Sequence, residues 1–265
     1  MTTSHRRVTH VAIAGHRLEV LEPRMPAPGS PWVVFLHEGL GSAGQWRDFP
    51  AKLAALTGCG TLAYSRWGYG GSERRPAPWP DDFLDEEART VLPAVLDHFG
   101  IQVPVIYGHS DGATIALMFA AAFPERSAGV ISVAAHVMLE DVSLESIARA
   151  RQRFIDGPLR DPLARQHGAH VDDTLFGWAD TWLRPRVRDW DMRASLQSIT
   201  CPVLVIQGRD DEFGTLAQVD AVVRGVGGPA ESLVLDHCGH IPHREKPKEV
   251  LAAVTRFIQA LGTRA

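Results

Sequence analysis

The sequence predicts an α/β protein built on a doubly wound, mostly parallel sheet, with a small helical cap inserted between two core strands. Three observations carry this. Apolar runs of strand length alternate with helix-like segments from residue 32 to residue 134. The run Trp32–Leu36 is unbroken, as expected of a strand covered on both faces, and the apolar run 103–107 leads directly into a Gly-rich turn. The alternation lapses between 137 and 198 and resumes at 202, which marks a single insertion.

The elements follow in order. Val8–Ile13 and residues 17–21 flank Ala14-Gly15-His16 and read as a hairpin of two antiparallel strands. A loop rich in Pro, Gly and Ser covers 23–31, and Trp32–Leu36 is the next strand. Residues 45–57 read as a helix, 60–65 as a strand and 83–99 as a longer helix. Strand 103–107 runs into Gly108-His109-Ser110-Asp111-Gly112, then into a helix over 113–123 and a strand over 129–134. The insertion holds Phe154, Phe176, Trp178, Trp182, Trp190, many arginines and short helical patches such as 144–154. Placed at the carboxyl edge of the sheet, it reads as a cap over that edge. A strand at 202–206, a helix at 216–226, a short strand at 232–235 and a final helix at 247–261 complete the order. The expected organisation is core 1–136, cap 137–198 and core 199–265, without repeats or low-complexity tracts.

Bulk composition narrows the class. A chain of 265 residues suffices for one large α/β domain burying about three quarters of its unfolded surface. Hydrophobic content of 45% and charged content of 22% are ordinary for a globular protein. A net charge of -4 and a pI near 6.3 leave no basic footprint, so nucleic acid is not an expected partner. The polar start Met1-Thr2-Thr3-Ser4-His5-Arg6-Arg7 has no apolar leader core, and no long apolar span follows, so neither export nor membrane insertion is expected. Cys59, Cys201 and Cys238 are odd in number and far apart, which fits a reducing cytoplasm and offers no metal-ligand spacing.

Residues 108–112 carry the most chemistry. G-x-S-x-G between a strand and a helix forms a sharp turn that lifts the serine hydroxyl above the sheet. The glycines two before and two after keep side chains out where strand and helix nearly touch. Ser110 is therefore read as a nucleophile. A serine at its free pKa is a poor one and needs a base, held in turn by an acid. Candidate acids follow strand 202–206 in Gln207-Gly208-Arg209-Asp210-Asp211-Glu212. Candidate bases follow strand 232–235 in Asp236-His237-Cys238-Gly239-His240-Ile241-Pro242-His243. Both segments emerge at the sheet edge that holds Ser110.

With the turn Leu36-His37-Glu38-Gly39-Leu40-Gly41 and the segment Ser65-Arg66-Trp67-Gly68-Tyr69-Gly70-Gly71-Ser72, these motifs resemble the α/β-hydrolase superfamily over essentially the whole chain. The resemblance implies Asp211, three residues after Gly208, as the acid and His240, directly after Gly239, as the base. Asp210, His237 and His243 compete for those roles; Asp210 is expected to be solvated and His243 to lie at the surface or to support the site. The resemblance also implies that an oxyanion is held by the backbone N–H of Asp111 and of Gly39, with Leu40 next. Here the turn departs from the family pattern, because Glu38 stands where glycine usually follows the histidine. A carboxylate aimed inward would oppose the developing charge, so Glu38 is expected to point away and pair with Arg66 or another arginine. His37 and His109 are expected to bond backbone, and the Asp111 side chain to lie in the first helical turn, where the dipole favours it. Leu40, His136, Trp178 and Trp182 are expected to bind substrate, with His136 alternatively tying down the cap entrance.

The function implied by this resemblance is hydrolysis of a carboxylic ester or related acyl bond of a small to medium, partly apolar molecule through an acyl-enzyme. It calls for no cofactor and no metal. Serine at the elbow argues against haloalkane dehalogenases and epoxide hydrolases, which use aspartate there. Thioesterases, lactonases, perhydrolases and carbon–carbon bond hydrolases of ring-cleavage products share the same residues. Arg149, Arg151, Arg153, Arg184, Arg186 and Arg188 are expected to form a solvated face, and any of them in the pocket would favour an anionic, ring-cleavage-like substrate. A ligand-binding protein without turnover is the alternative of another class, and Glu38 is the one feature in its favour.

Overall fold

Eight strands form one sheet in the order β1-β2-β4-β3-β5-β6-β7-β8 in the computed structural model, which describes residues 7–262. The polar stretch 1–6 and residues 263–265 lie outside the described residues. β1 (Val8–Ile13) and β2 (His16–Arg24) form the antiparallel hairpin, and β2 joins β4 antiparallel. From β4 onward every pairing is parallel: β3 (Trp32–Leu36), β4 (Gly60–Tyr64), β5 (Val105–His109), β6 (Gly129–Val133), β7 (Val203–Gly208) and β8 (Ala230–Leu235).

The helices cover both faces. In chain order they are α1 (Phe49–Thr57), α2 (Phe83–Glu86), α3 (Leu92–His98), α4 (Asp111–Ala122), α5 (Asp141–Ile155), α6 (Arg160–His167), α7 (Val171–Trp182), α8 (Leu216–Gly225), α9 (Pro242–Glu245) and α10 (Pro247–Gly262). Alternate residues of each strand serve different faces although nearly all are apolar. Val33 and Phe35 share a core with Leu53 of α1 and Val254 of α10, whereas Val34 and Leu36 share one with Leu92 of α3 and Ile115 of α4. Each such side chain removed from water contributes about 1.5–3 kcal/mol.

Local chemistry shifts several expected boundaries. The segment 45–57 is a short 3₁₀ turn, Ala43–Trp46, then a break at Arg47 (φ 49°), then α1 with Pro50 in its first turn. The segment 83–99 is helical throughout but runs through a π turn at Glu87–Val91 between α2 and α3. β5 starts at Val105 rather than 103, since Pro104 has no N–H to donate to a ladder.

Between β6 and β7 the chain builds α5, α6 and α7. Phe154, Leu163, Val171 and Leu175 form a small core of their own, while Trp178 and Trp182 join the main one. A bridge between Met138 and Asp191 ties the two ends of the insertion. Among the described residues no helix is long and apolar enough to cross a membrane.

Candidate active site

The turn at Ser110 is built by steric necessity. Ser110 adopts φ 54° and ψ -121°, a conformation rarely held by a residue with a side chain and a marker of functional strain. Its N–H donates to the Val133 carbonyl at 2.8 Å, which extends the β5–β6 ladder and holds the residue there. A Cβ at Gly112 would lie 2.5 Å from the Leu36 carbonyl carbon and 2.7 Å from the His37 oxygen, so α4 reaches β3 only through glycine. A Cβ at Gly108 would overlap the Gly112 carbonyl in the same way.

Three loops bring the predicted polar residues together. His240, in the loop after β8, places Nε2 2.9 Å from Ser110 Oγ. Its Nδ1 lies 2.8 Å from Oδ1 of Asp211, in the loop after β7. The Phe213 N–H donates to the same Oδ1 at 2.8 Å and fixes the carboxylate. Burial favours a neutral His240, but the Asp211 hydrogen bond and charge outweigh it and hold the imidazole above its ordinary pKa. For Asp211, burial pushes up, while the bond to His240 and its charge pull the carboxyl below its usual range. This is the order serine–imidazole–carboxylate that moves a proton off a hydroxyl. Among the competitors, Asp210 and His237 are exposed.

The N–H groups of Gly39, Leu40 and Asp111 take no acceptor among the described residues, and all three residues border the cavity over Ser110. That cavity has a volume of about 160 Å³, of the order that accommodates benzene in an engineered core (about 150 Å³). Leu40, His136, Trp178 and Trp182 all line it. Trp178 lies directly over Gly39, where a Cβ would come 2.6 Å from its Cε2. Leu40 is tied to the cap, because its carbonyl accepts from His167 Nε2 at 3.0 Å while His167 Nδ1 accepts the Gly70 N–H at 2.9 Å.

His136 both lines the cavity and pins a loop. Its Nε2 donates to the Phe213 carbonyl at 2.9 Å, and Ser143 Oγ donates to the same oxygen at 2.6 Å. Phe213 in turn lies against the His240 ring, centroids 4.5 Å apart. The sequence does not mark Phe213, nor Leu139, Ser143 and Ile147 along the cavity wall. Ser143 and Ile147 lie four residues apart on α5, so the helical period is their readable signal, while Leu139 precedes the helix.

Several expectations are corrected. The Glu38 carboxylate does not point away toward an arginine. Arg66 Nη2 donates instead to the Glu38 carbonyl at 3.0 Å and lies 4.0 Å from Asp111, so its guanidinium is occupied. The Glu38 side chain borders the cavity, with Oε2 3.5 Å from His109 Nδ1. Burial pushes its carboxyl up, but the neighbouring imidazoles of His109 and His37 hold it well below the usual range. Of the two places expected for His243, the structure gives the one beside the site: it is buried and packed against Trp46, Phe49 and His109, whose Nε2 donates to the His240 carbonyl. The Asp111 side chain faces Arg66 and Trp178 rather than only its own helix, and burial, partly countered by Arg66, raises its carboxyl to about 6.

His37 and His109 do bond backbone: His37 Nδ1 donates to the Glu38 carbonyl at 2.8 Å, and His109 Nε2 to the His240 carbonyl at 2.7 Å. None of the cap arginines lines the cavity. Arg151 pairs with Asp180, Arg184 and Arg186 with Asp81, and Arg188 with Asp141. Cys59, Cys201 and Cys238 are buried thiols. Among the described residues no group of three or more His, Cys, Asp or Glu is placed to hold a metal ion.

Known proteins with similar sequences agree with this arrangement at the level of fold and family. The sequence model described as the alpha/beta hydrolase family matches residues 33–254. The chain is 27% identical over 254 residues to 2-succinyl-6-hydroxy-2,4-cyclohexadiene-1-carboxylate synthase of Klebsiella pneumoniae, covering 87% of this chain and 94% of that protein. It is 25% identical over 317 residues to epoxide hydrolase A of Mycobacterium tuberculosis, covering 94% and 96%. Among solved structures, the enol-lactonase of Burkholderia xenovorans superposes with a TM-score of 0.75 at 21% identity, covering 95% of this chain and 100% of that one. The 2-hydroxy-6-oxo-6-phenylhexa-2,4-dienoate hydrolase of a Rhodococcus species gives 0.76 at 20% identity, covering 98% and 100%. At such identities the structural likeness carries the fold.

Proposed function

The chain belongs to the alpha/beta hydrolase family, and from that premise we propose that it hydrolyses a carboxylic ester or related acyl bond whose acyl part is small, uncharged and apolar. The observation that carries this is the hydrogen-bonded Ser110–His240–Asp211 chain beside an apolar cavity. Ser110 Oγ attacks the substrate carbonyl carbon as His240 Nε2 takes its proton, and Asp211 stabilises the imidazolium that forms. The oxyanion accepts from the backbone N–H of Asp111 and Gly39, donors worth about 2.7–4 kcal/mol each by analogy with other oxyanion sites. His240 returns the proton to the leaving oxygen. Water then enters along the same path and attacks the acyl carbon as His240 takes one of its protons; the intermediate collapses by breaking the bond to Ser110 Oγ, His240 returns that proton to Oγ, and the acid leaves.

The substrate class follows from what borders the cavity. Among the described residues no lysine or arginine side chain does so, which disfavours a carboxylate-bearing ring-cleavage product. Trp178, Trp182, Ile147 and Leu139 instead suit an apolar acyl group. Serine at the elbow separates the chain from epoxide hydrolases, which use aspartate there. The test is turnover of p-nitrophenyl esters from acetate to octanoate beside Ser110→Ala. Hydrolysis reduced by roughly 10⁴-fold or more in the variant is expected. A variant that kept most of the activity would remove Ser110 from the reaction.

A further inference from the structure

The turn after β3 is held from two sides. The core fixes its first half: Arg66, just after β4, donates its backbone N–H to His37 Nε2 and its Nη2 to the Glu38 carbonyl, both at 3.0 Å. The second half reaches the cap instead. Among the described residues the Leu40 carbonyl accepts from no backbone N–H, and its partner is Nε2 of His167, the last residue of α6, at 3.0 Å. The other ring nitrogen, Nδ1, accepts the Gly70 N–H at 2.9 Å.

These two bonds dictate the form of the ring. A carbonyl only accepts, so Nε2 carries a proton, and an amide N–H only donates, so Nδ1 keeps its lone pair. His167 is thus a neutral imidazole in one tautomer. It is 1% exposed, and burial draws its pKa down to about 4, which agrees with that form. Gly70 is a firm anchor for the ring. It holds φ 54°, and a Cβ there would overlap Ser65 Oγ. Ser65 Oγ and the Gly71 N–H both donate to Glu19 Oε2 of β2, so the segment around Gly70 is tied to the sheet. The residue before His167 grips the chain just beyond the turn: Gln166 Oε1 accepts from Gln45 Nε2 at 2.6 Å and from Ser42 Oγ at 3.4 Å.

We infer that His167 is a positioning residue, a buried spacer from the cap that sets the oxyanion turn against the segment after β4. Arg66 secures residues 37 and 38, and without His167 the carbonyl side of Leu40 is released from both cap and core. The Gly39 and Leu40 N–H groups lie between those two points of attachment. The cap on this side is then part of the apparatus that places the donors, as well as a wall of the cavity. The kinetic consequence rests on the hydrolytic reading above; the hold on the turn does not.

Two substitutions separate the bonds from the bulk of the ring. His167→Leu removes both bonds, whereas His167→Gln offers an amide oxygen to the Gly70 N–H and an amide N–H to the Leu40 carbonyl. The Gly41 N–H closes the turn on the Glu38 carbonyl at 3.1 Å, and its hydrogen exchange reports the turn without any substrate. In His167→Leu that exchange should quicken about tenfold, the worth of one hydrogen bond, and His167→Gln should restore most of the protection. In p-nitrophenyl acetate hydrolysis His167→Leu should lower kcat roughly 10- to 100-fold with KM little changed, since misplacement by about 1 Å costs up to about 10²-fold. Butylboronic acid, whose boron takes Ser110 Oγ as a fourth ligand and so mimics the tetrahedral intermediate, should bind more weakly by the same factor. Unchanged Gly41 exchange in His167→Leu overturns the inference, as does a rise in KM with kcat intact, which would leave His167 a wall residue only. A glutamine variant no better than leucine would assign the effect to ring packing and overturn it too. Wild type itself, ¹⁵N-labelled, should show a two-bond nitrogen–nitrogen coupling between Gly70 and His167 Nδ1; its absence overturns the spacer even where His167→Leu does not fold. Boronic acid binding without ester turnover would sink the ester reading alone, and an active enzyme whose Gly41 exchange ignores His167→Leu would sink the spacer alone.

Discussion

Gly39→Ala probes the close approach of Trp178 to the turn after β3. Gly39 has an ordinary backbone conformation, so the added methyl is opposed by packing alone. Its Cβ would lie 2.6 Å from Trp178 Cε2 and 2.9 Å from Cδ1. Carbon atoms rest at about 3.5 Å or more, so turn and indole must separate by about 1 Å. Overpacking of this kind costs about 1–3 kcal/mol, or about 2–10 °C in Tm for a chain of this size. A donor displaced by about 1 Å costs about 10²-fold in rate. The expected result is therefore a fall of about 100-fold in kcat/KM for p-nitrophenyl acetate, with a modest loss in melting temperature. Trp178→Ala removes the obstructing ring, so in that background the same glycine substitution should cost less than about threefold. An equal loss in both backgrounds would place the fault in the turn itself and refute the steric argument, and a harmless Gly39→Ala would refute the close approach.

Other outcomes follow from the same geometry. Since Asp211 holds His240 above the ordinary histidine value of about 6.5 and the base must be neutral, kcat/KM should fall on acidification with a midpoint above pH 6.5, and a profile flat to pH 4 would rule out a histidine base. Asp211→Asn should lower kcat by about 10⁴-fold without unfolding the protein, read by ester turnover and circular dichroism. Asp111, raised to about 6, holds in the native state a proton that the unfolded chain has lost between about pH 4 and pH 6, so it lowers stability as pH rises through that window, by about 3 kcal/mol above it. Asp111→Asn should then melt several degrees higher than wild type at pH 8 and no higher near pH 4; an advantage independent of pH would contradict this. Trp182→Ala enlarges a cavity of about 160 Å³, and the preferred p-nitrophenyl ester should shift from short acyl chains toward longer ones.

The legible part of this molecule is the part whose signal is local. Unbroken apolar runs require strands buried on both faces, and β3, β4, β5, β6 and β7 are buried along nearly their whole length. The elbow is legible for the same reason, since Gly108, Ser110 and Gly112 meet their constraints within five residues and one neighbouring strand. Strand order reaches the segments 207–212 and 236–243, because residues leaving the carboxyl ends of parallel strands share one edge, and the family resemblance picks Asp211 and His240 within them. Boundaries were lost where one atom decides, as at Pro104, or where a helix absorbs a π turn.

What the sequence concealed depends on contacts between distant segments. Arg66 looked available to Glu38, yet the carbonyls of residues 37 and 38 and the Asp111 carboxylate already surround its guanidinium. No pattern within the turn announces that competition, and it is what leaves the Glu38 carboxylate to His109. The charged neighbours of His243 in sequence do not choose between surface and support, and the choice is made by Trp46, Phe49 and His109, which pack on its ring from other segments. The same reasoning bears on the choice between enzyme and binding protein. Glu38 favoured the latter only as a charge set against an oxyanion. With its Oε2 turned to His109 and the N–H groups of Gly39 and Asp111 without acceptors, the substitution no longer opposes negative charge at the place where it would develop.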